Sequence, residues 1–448
     1  MPSLARARRA ITAWFAAETH PANLAVVRIA VFSILHERLK AGGFRRYARL
    51  PEDLRIPPPG WDAILQVLPF DEATVKLAQI AGVALSFLAL VGFWTRPAAA
   101  LTALLSTYVL GTQYFFGKVD HTFHPVIWFA LLLAASPSGD ALSIDAWLAR
   151  RRGRPPPGPA RAYALPIRLM WLLIGVAYFF PGLYKLLSGP QWVLSDNLRF
   201  MFYESWRHHH VIPLLRLDQH PVLYQAAALG TILFELSFVF LVLSRRTRPF
   251  AALGGLLFHT ATAYFMRIYF LELMRCYVVF VDWHALAKRL GLARDAAAPA
   301  RTPPSATAAA VVGALLIASN VALGAWNISS WPLSVFPRFG RVRLHASAIE
   351  VEAMIESEAG SQRLQVPLRG AMLRGILRLP EGEARDRRLR ALIEYVLSQR
   401  EPLAPDQNVR VYASLYSTLP EDWQAPPLRR ELLFDYHAAR NVEPRSQP

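Results

Sequence analysis

The chain has 448 residues, 54% of them hydrophobic and 18% charged, against about 25% charged in a typical soluble domain. Such a surplus excludes an ordinary cytosolic globule and a disordered chain, and a lone cysteine, Cys276, excludes a disulfide scaffold or a multi-cysteine metal cluster. The net charge is +17, yet residues 330–448 hold 17 arginines against 15 acids, so nearly all the excess flanks apolar runs, where it reads as membrane topology rather than nucleic-acid binding.

In chain order, residues 1–20 form a basic N-terminal stretch with Arg6, Arg8 and Arg9, expected to be cytoplasmic and amphipathic over Ile11–Glu18. No small-residue cleavage site follows it, so the first span is expected to stay as an anchor. Apolar runs of about 20 residues, bilayer length, predict spans near 22–39, 74–94, 98–116, 122–137, 165–186, 222–243, 249–269, 270–285 and 307–328. Eight or nine spans result: a transmembrane body over 21–290, a cytoplasmic linker over 291–306 and a last helix over 307–328. Pro181 and Gly182 fall inside the fifth span.

With the N-terminus in the cytoplasm, the basic clusters at Arg96, Arg150–Arg154, Arg245–Arg248 and Lys288 fall on the cytoplasmic side. Segment 40–55 is the exception and reads as interfacial; segment 151–160 reads as a flexible basic linker. Past Ala325 the pattern changes. Period-two stretches at Arg341–Met354, Gln362–Pro367 and Asn408–Ser417 flank a charged helix at Glu383–Arg400. The expected fold is mainly α: a polytopic transmembrane helical bundle with a small C-terminal α+β domain, residues 329–448, outside the cell (inner) membrane.

Ionisable residues within spans are costly and are functional candidates. The run Gly117–His124 joins the third and fourth spans and contains Asp120, His121 and His124. Asp120 and His124 would share a face if helical; the plainer reading is a polar turn with Asp120 as N-cap. Lys185 ends the fifth span. Of 49 basic residues only five are lysines (Lys40, Lys76, Lys118, Lys185, Lys288). Where arginine anchors nearly everything, a lysine is notable because burial can make it a neutral base; the alternative is snorkelling to the headgroups. A third group holds His259 in mid-span and Glu272 with Arg275, expected to neutralise one another. His208–His210 is expected in a surface loop. The first two groups lie at the same outer face, where a shared cavity is expected.

Tyr178–Leu186 (YFFPGLYKL), with Trp192 beyond it, resembles the core of the vitamin K-dependent γ-glutamyl carboxylase family, whose membrane part is the HTTM (horizontally transferred transmembrane) domain. Asp120-His121, opening a helix that ends in Ser136–Asp145, resembles its other hallmark, and the likeness covers about residues 17–290. Ser330–Pro337 looks like a segment of bacterial members. The resemblance implies Lys185 as catalytic base and His121 as active-site histidine, with Asp120 where the family carries asparagine. It further implies that the lysine deprotonates reduced vitamin K or a menaquinol-type hydroquinone, that oxygen then reacts, and that the strong base formed removes a glutamate γ-proton before carbon dioxide adds. Tyr178, Tyr184, Trp192 and His259 are the substrate-binding candidates. The animal enzymes' large propeptide-reading domain has no counterpart in the short C-terminal part.

The leading expectation is therefore a vitamin K-dependent carboxylase-like epoxidase in the lipid bilayer, with a quinol and a peptide or protein at the external face as partners, without bound metal or nucleic acid. Two others compete: a lipid-binding scaffold or carrier whose external domain docks a partner, and a metal-dependent transporter using Asp120, His121 and His124.

Overall fold

The computed structural model describes residues 12–293, 305–334, 340–404 and 406–437. The Arg6–Arg9 cluster, most of the 291–306 linker and the end of the Ser330–Pro337 motif lie outside the described residues. The longer helices are α1 (Pro21–Ala41), α2 (Glu72–Val91), α3 (Thr95–Gly111), α4 (His124–Ala134), α5 (Arg161–Leu187), α6 (Asn197–His209), α7 (Pro221–Leu241), α8 (Arg248–Met266), α9 (Thr307–Ala325) and α10 (Glu383–Leu397).

Local chemistry sets their ends. The His20 imidazole caps α1 by accepting from the Ala22 amide, with Pro21 in the first turn, and the Asp71 carboxylate caps α2 from Thr74. Gly92, at φ 71°, closes α2. α5 is the central helix: 78% of its apolar window is buried, against 28% for each of α2, α7 and α9.

Among the described residues, those four helices are long and apolar enough to cross a membrane. The count of eight or nine spans finds no such support. The segment predicted at 122–137 yields only the 11-residue α4, nearly all buried, which fits a core helix better than a span. The segment predicted at 270–285 breaks into a helix at Leu271–Cys276, a tight turn at Tyr277–Phe280 and another helix from Trp283. α3 has 17 residues, and α1 carries Arg28, Glu37, Arg38 and Lys40.

The C-terminal part is a four-stranded antiparallel sheet in the order β2-β1-β3-β4, from β1 (Ser347–Ser357), β2 (Gly360–Arg363), β3 (Asn408–Ser417) and β4 (Arg429–Tyr436). Ala353 opposite Val411 and Ile355 opposite Val409 build its inner face. Leu389, Leu392, Ile393 and Val396, at helical spacing, turn α10 onto that face. The predicted strand over Gln362–Pro367 ends at Arg363, and Pro367 opens a helical turn.

This domain is packed onto the helical body. Arg343 pairs with Glu204, and Arg207 lies 4.4 Å over the Tyr416 ring and 3.4 Å from Glu350. The backbones of Gly117 and Gly375 approach so closely that a Cβ on Gly117 would lie 2.6 Å from the Gly375 Cα. Segment 40–55 has a place here too: α10 packs against its turn at Glu52–Leu54.

Candidate functional site

The site starts from two glycines. Gly175 and Gly182 are seven apart on α5, so they share the helix face that meets α7. A Cβ on Gly175 would sit 2.9 Å from the Val239 Cα, and one on Gly182 2.8 Å from the Glu235 Cβ. α5 and α7 therefore touch backbone to backbone, and one turn past Gly182 the Lys185 ammonium meets the Glu235 carboxylate. Nζ lies 2.6 Å from Oε1 and 2.5 Å from Oε2, with the side chains 6% and 5% exposed. Nζ is also 5.5 Å from the centre of the Trp192 ring.

One turn and more toward the helix start, the Tyr178 hydroxyl is 2.6 Å from His259 Nε2 on α8 and 2.6 Å from the Tyr277 hydroxyl. A hydroxyl has one proton to give, so the three groups form a directional chain, Tyr277 to Tyr178 to His259 or the reverse. The lone cysteine, Cys276, is buried beside this chain.

Between α5, α6, α7 and α8 lies a cavity of about 200 Å³. Lys185, Glu235, Tyr178, His259 and Trp192 line it, and most of the remaining wall is apolar, with Phe258 and Phe265 among it. Two nitrogens of these lining side chains, His259 Nδ1 and Trp192 Nε1, are buried with no hydrogen-bond partner among the described residues. Buried polar atoms are seldom left that way. An ion pair and two side chains with unpartnered nitrogens thus line a mostly apolar cavity. The outward faces of α7 and α8 are apolar and exposed at Leu229, Leu233, Leu253 and Leu257.

Four of the residues singled out from sequence, Tyr178, Lys185, Trp192 and His259, come together here. Tyr184 does not: its hydroxyl donates to the Gly324 carbonyl at 2.7 Å and ties α5 to the end of α9. His121 and Asp120 are not among the lining residues either. Asp120 is exposed and accepts from the Thr122 amide and hydroxyl. It is not the N-cap of α4, which starts after Phe123, and so it shares no helix face with His124. The His121 ring is 4.9 Å from that of His124, whose Nε2 is 3.0 Å from the Ser330 carbonyl. A carbonyl only accepts, so that nitrogen carries the proton.

Arg275 makes its hydrogen bonds to Glu37 on α1, at 2.7 and 2.8 Å, and Glu272 acts on it only as a further nearby charge. His208 and His209 end α6 and His210 follows it, so the triplet is a helix terminus rather than a loop. Among the described residues no three His, Cys, Asp or Glu side chains converge as a metal ion requires. The Ser136–Asp145 hallmark ties several elements together. Asp145 caps α3 through Trp94 and Thr95, Asp140 holds the Tyr163 hydroxyl, and Arg28 donates to the carbonyls of Ser138, Ala141 and Leu142.

Glu235 went unread in the sequence. The available signal was a single acid in an otherwise apolar run at 222–243, a position that by default asks for a partner.

Apolar helices long enough to cross a membrane, packed around a buried ion pair and a small, mostly apolar cavity, define a helical membrane protein. The HTTM domain matches residues 16–283, more than half of the chain, and the protein belongs to that family. HTTM domains occur in vitamin K-dependent carboxylase-like proteins. No curated protein and no solved structure matches the chain.

Proposed function

We propose that this protein is an epoxidase of the vitamin K-dependent carboxylase type, which deprotonates and oxygenates a reduced quinone in the cavity beside Lys185 and couples this to γ-carboxylation of a glutamate in a peptide or protein. The observation that carries the reading is the Lys185–Glu235 pair, buried in an apolar cavity of an HTTM domain. A buried ion pair contributes little to stability compared with apolar packing of the same volume, so its presence in the wall of a cavity points to chemistry. When bound, a hydroquinone of the reduced vitamin K or menaquinol type supplies the phenolic oxygen that reacts with oxygen; carbon dioxide is the further co-substrate.

The chain's own residues have separable tasks. Lys185 and Glu235 handle the phenolic proton and keep a cation beside the oxygen that loses it. His259, held through Tyr178 and Tyr277, and the Trp192 indole present nitrogens to the ring oxygens. The apolar wall excludes water. His121 and Asp120, implied by the family resemblance, would act from the loop before α4, outside this cavity, with the glutamate substrate. The proposed setting is the inner membrane, with the N-terminus cytoplasmic and residues 340–437 on the outer side.

Purified protein given reduced vitamin K and oxygen should form the epoxide. Lys185→Ala should reduce the rate at least a hundredfold, at the low end of what a positioned acid–base group contributes, about 10²–10⁴-fold. Epoxide formation by Lys185→Ala at the wild-type rate removes Lys185 from the mechanism. Quinol binding without any epoxide in the wild type favours the carrier reading instead.

A further inference from the structure

A lysine that acts as a base must be neutral, yet both Glu235 oxygens lie within 2.6 Å of the Lys185 nitrogen, as for an ammonium. An ammonium has no lone pair and cannot take a phenolic proton. The carboxylate can. Among the described residues lining the cavity, the other titratable groups are Lys185, Tyr178 and His259, none of which carries a negative charge at neutral pH.

We infer that Glu235 is the final acceptor of the substrate's proton and that Lys185 passes it on. This rests on the reading of the cavity as a hydroquinone site. The phenolic O–H bond breaks and its electron pair stays on oxygen. The proton bonds to Lys185 Nζ as one of the Nζ protons moves to a Glu235 oxygen. Atoms and charge balance: a neutral phenol and an ammonium–carboxylate pair become a phenolate, an ammonium and a neutral carboxylic acid. The ammonium is then released from the carboxylate and becomes the counter-ion of the phenolate, so one pair serves as both base and electrostatic stabiliser.

The arrangement depends on close packing. Glu235 reaches Lys185 because Gly182 has no side chain, and a Cβ there would fall 2.8 Å from the Glu235 Cβ. The pair is buried, and among the described residues lining the cavity Lys185 carries the positive charge that a phenolate formed there would meet, an interaction strengthened where solvent is scarce.

The test uses full-length protein in lipid nanodiscs and 4-nitrophenol, whose phenolate absorbs visible light while the phenol does not. Binding to the wild type should produce the phenolate colour and, in infrared difference spectra, the carbonyl stretch of a newly protonated carboxylic acid. In Glu235→Gln that stretch should vanish. In Lys185→Met the carboxyl has lost its cation and takes up a proton as a buried unpaired carboxylate does, so the stretch should be present before the probe is added and phenolate should fall at least tenfold. Phenolate in the wild type without the carboxylic acid band overturns the assignment of Glu235 and leaves the cavity reading standing. A wild type that does not bind the phenol overturns the cavity reading, and this inference with it.

Discussion

Lys185 and Glu235 bury a positive and a negative charge where apolar side chains would fit. Breaking a buried pair from one side costs about 3–5 kcal/mol, whereas replacing both partners with apolar groups of similar volume is often neutral. Lys185→Met and Glu235→Leu are each therefore expected to lower the unfolding stability of the purified protein by about 3 kcal/mol, the low end, because the remaining partner can shed or take up a proton. The double variant should recover most of that loss in thermal melts while staying inactive with quinol. A double variant as unstable as the two singles added together would show that the two sites are not coupled. Of this pair, only Lys185 stood out in the sequence, because lysine is scarce here. Glu235 was hidden by its surroundings: a lone acid in an apolar run has no spacing to another motif, and its meaning comes from a helix fifty residues away.

At the level of elements, α5 and α7 owe their closeness to two glycines, and glycine is the only residue that allows it. Gly182→Ala would place a methyl 2.8 Å from the Glu235 Cβ, and overpacking of this kind costs about 1–3 kcal/mol. The expected result is a lower melting temperature and at least a tenfold loss of 4-nitrophenol affinity. Gly230→Ala on α7 is the control: a Cβ there meets nothing within 4 Å, and alanine is favoured over glycine in a helix by about 1 kcal/mol. Equal losses in both variants would mean that the helix contact does not shape the cavity. Most helices were legible as apolar runs, because hydropathy reads composition well. What it could not read was interruption. The run at 270–285 is mostly apolar despite Glu272, Arg275 and Asp282, yet the Trp171 indole on α5 donates to the Val279 carbonyl and Asp282 caps a new helix, so the backbone turns where composition predicts a span. β4 was missed for another reason. It is an edge strand whose first four residues are exposed, so no apolar alternation marks it.

Across the whole molecule, Ser330–Pro332, which follow α9, lie against the helical body. Trp331 is the fastening. Its indole donates to the Thr107 carbonyl at 2.7 Å, its own carbonyl accepts from Trp61 at 2.6 Å, and its ring lies 4.8 Å from His124 and 4.9 Å from Tyr114. Ser330 and Pro332 are held on either side by Pro59, His124 and Trp128. The run Gly117–His124, notable in sequence as a possible reactive group, thus also forms the ground on which the C-terminal domain rests, which the sequence could not show because the other half of the contact lies two hundred residues on. Emptying the Trp331 pocket should cost about 3–5 kcal/mol. That exceeds what the partly exposed ion pair at Arg343 can restore, worth about 1 kcal/mol or less. Trp331→Ala is therefore expected to loosen the domain as a unit: limited proteolysis should release a C-terminal fragment many times faster than from the wild type, while 4-nitrophenol still binds beside Lys185, since Trp331 is not among the residues lining that cavity. If the fragment is released no faster, the domain is held by its other contacts; if phenol binding is lost as well, docking of the domain and the shape of the cavity are coupled.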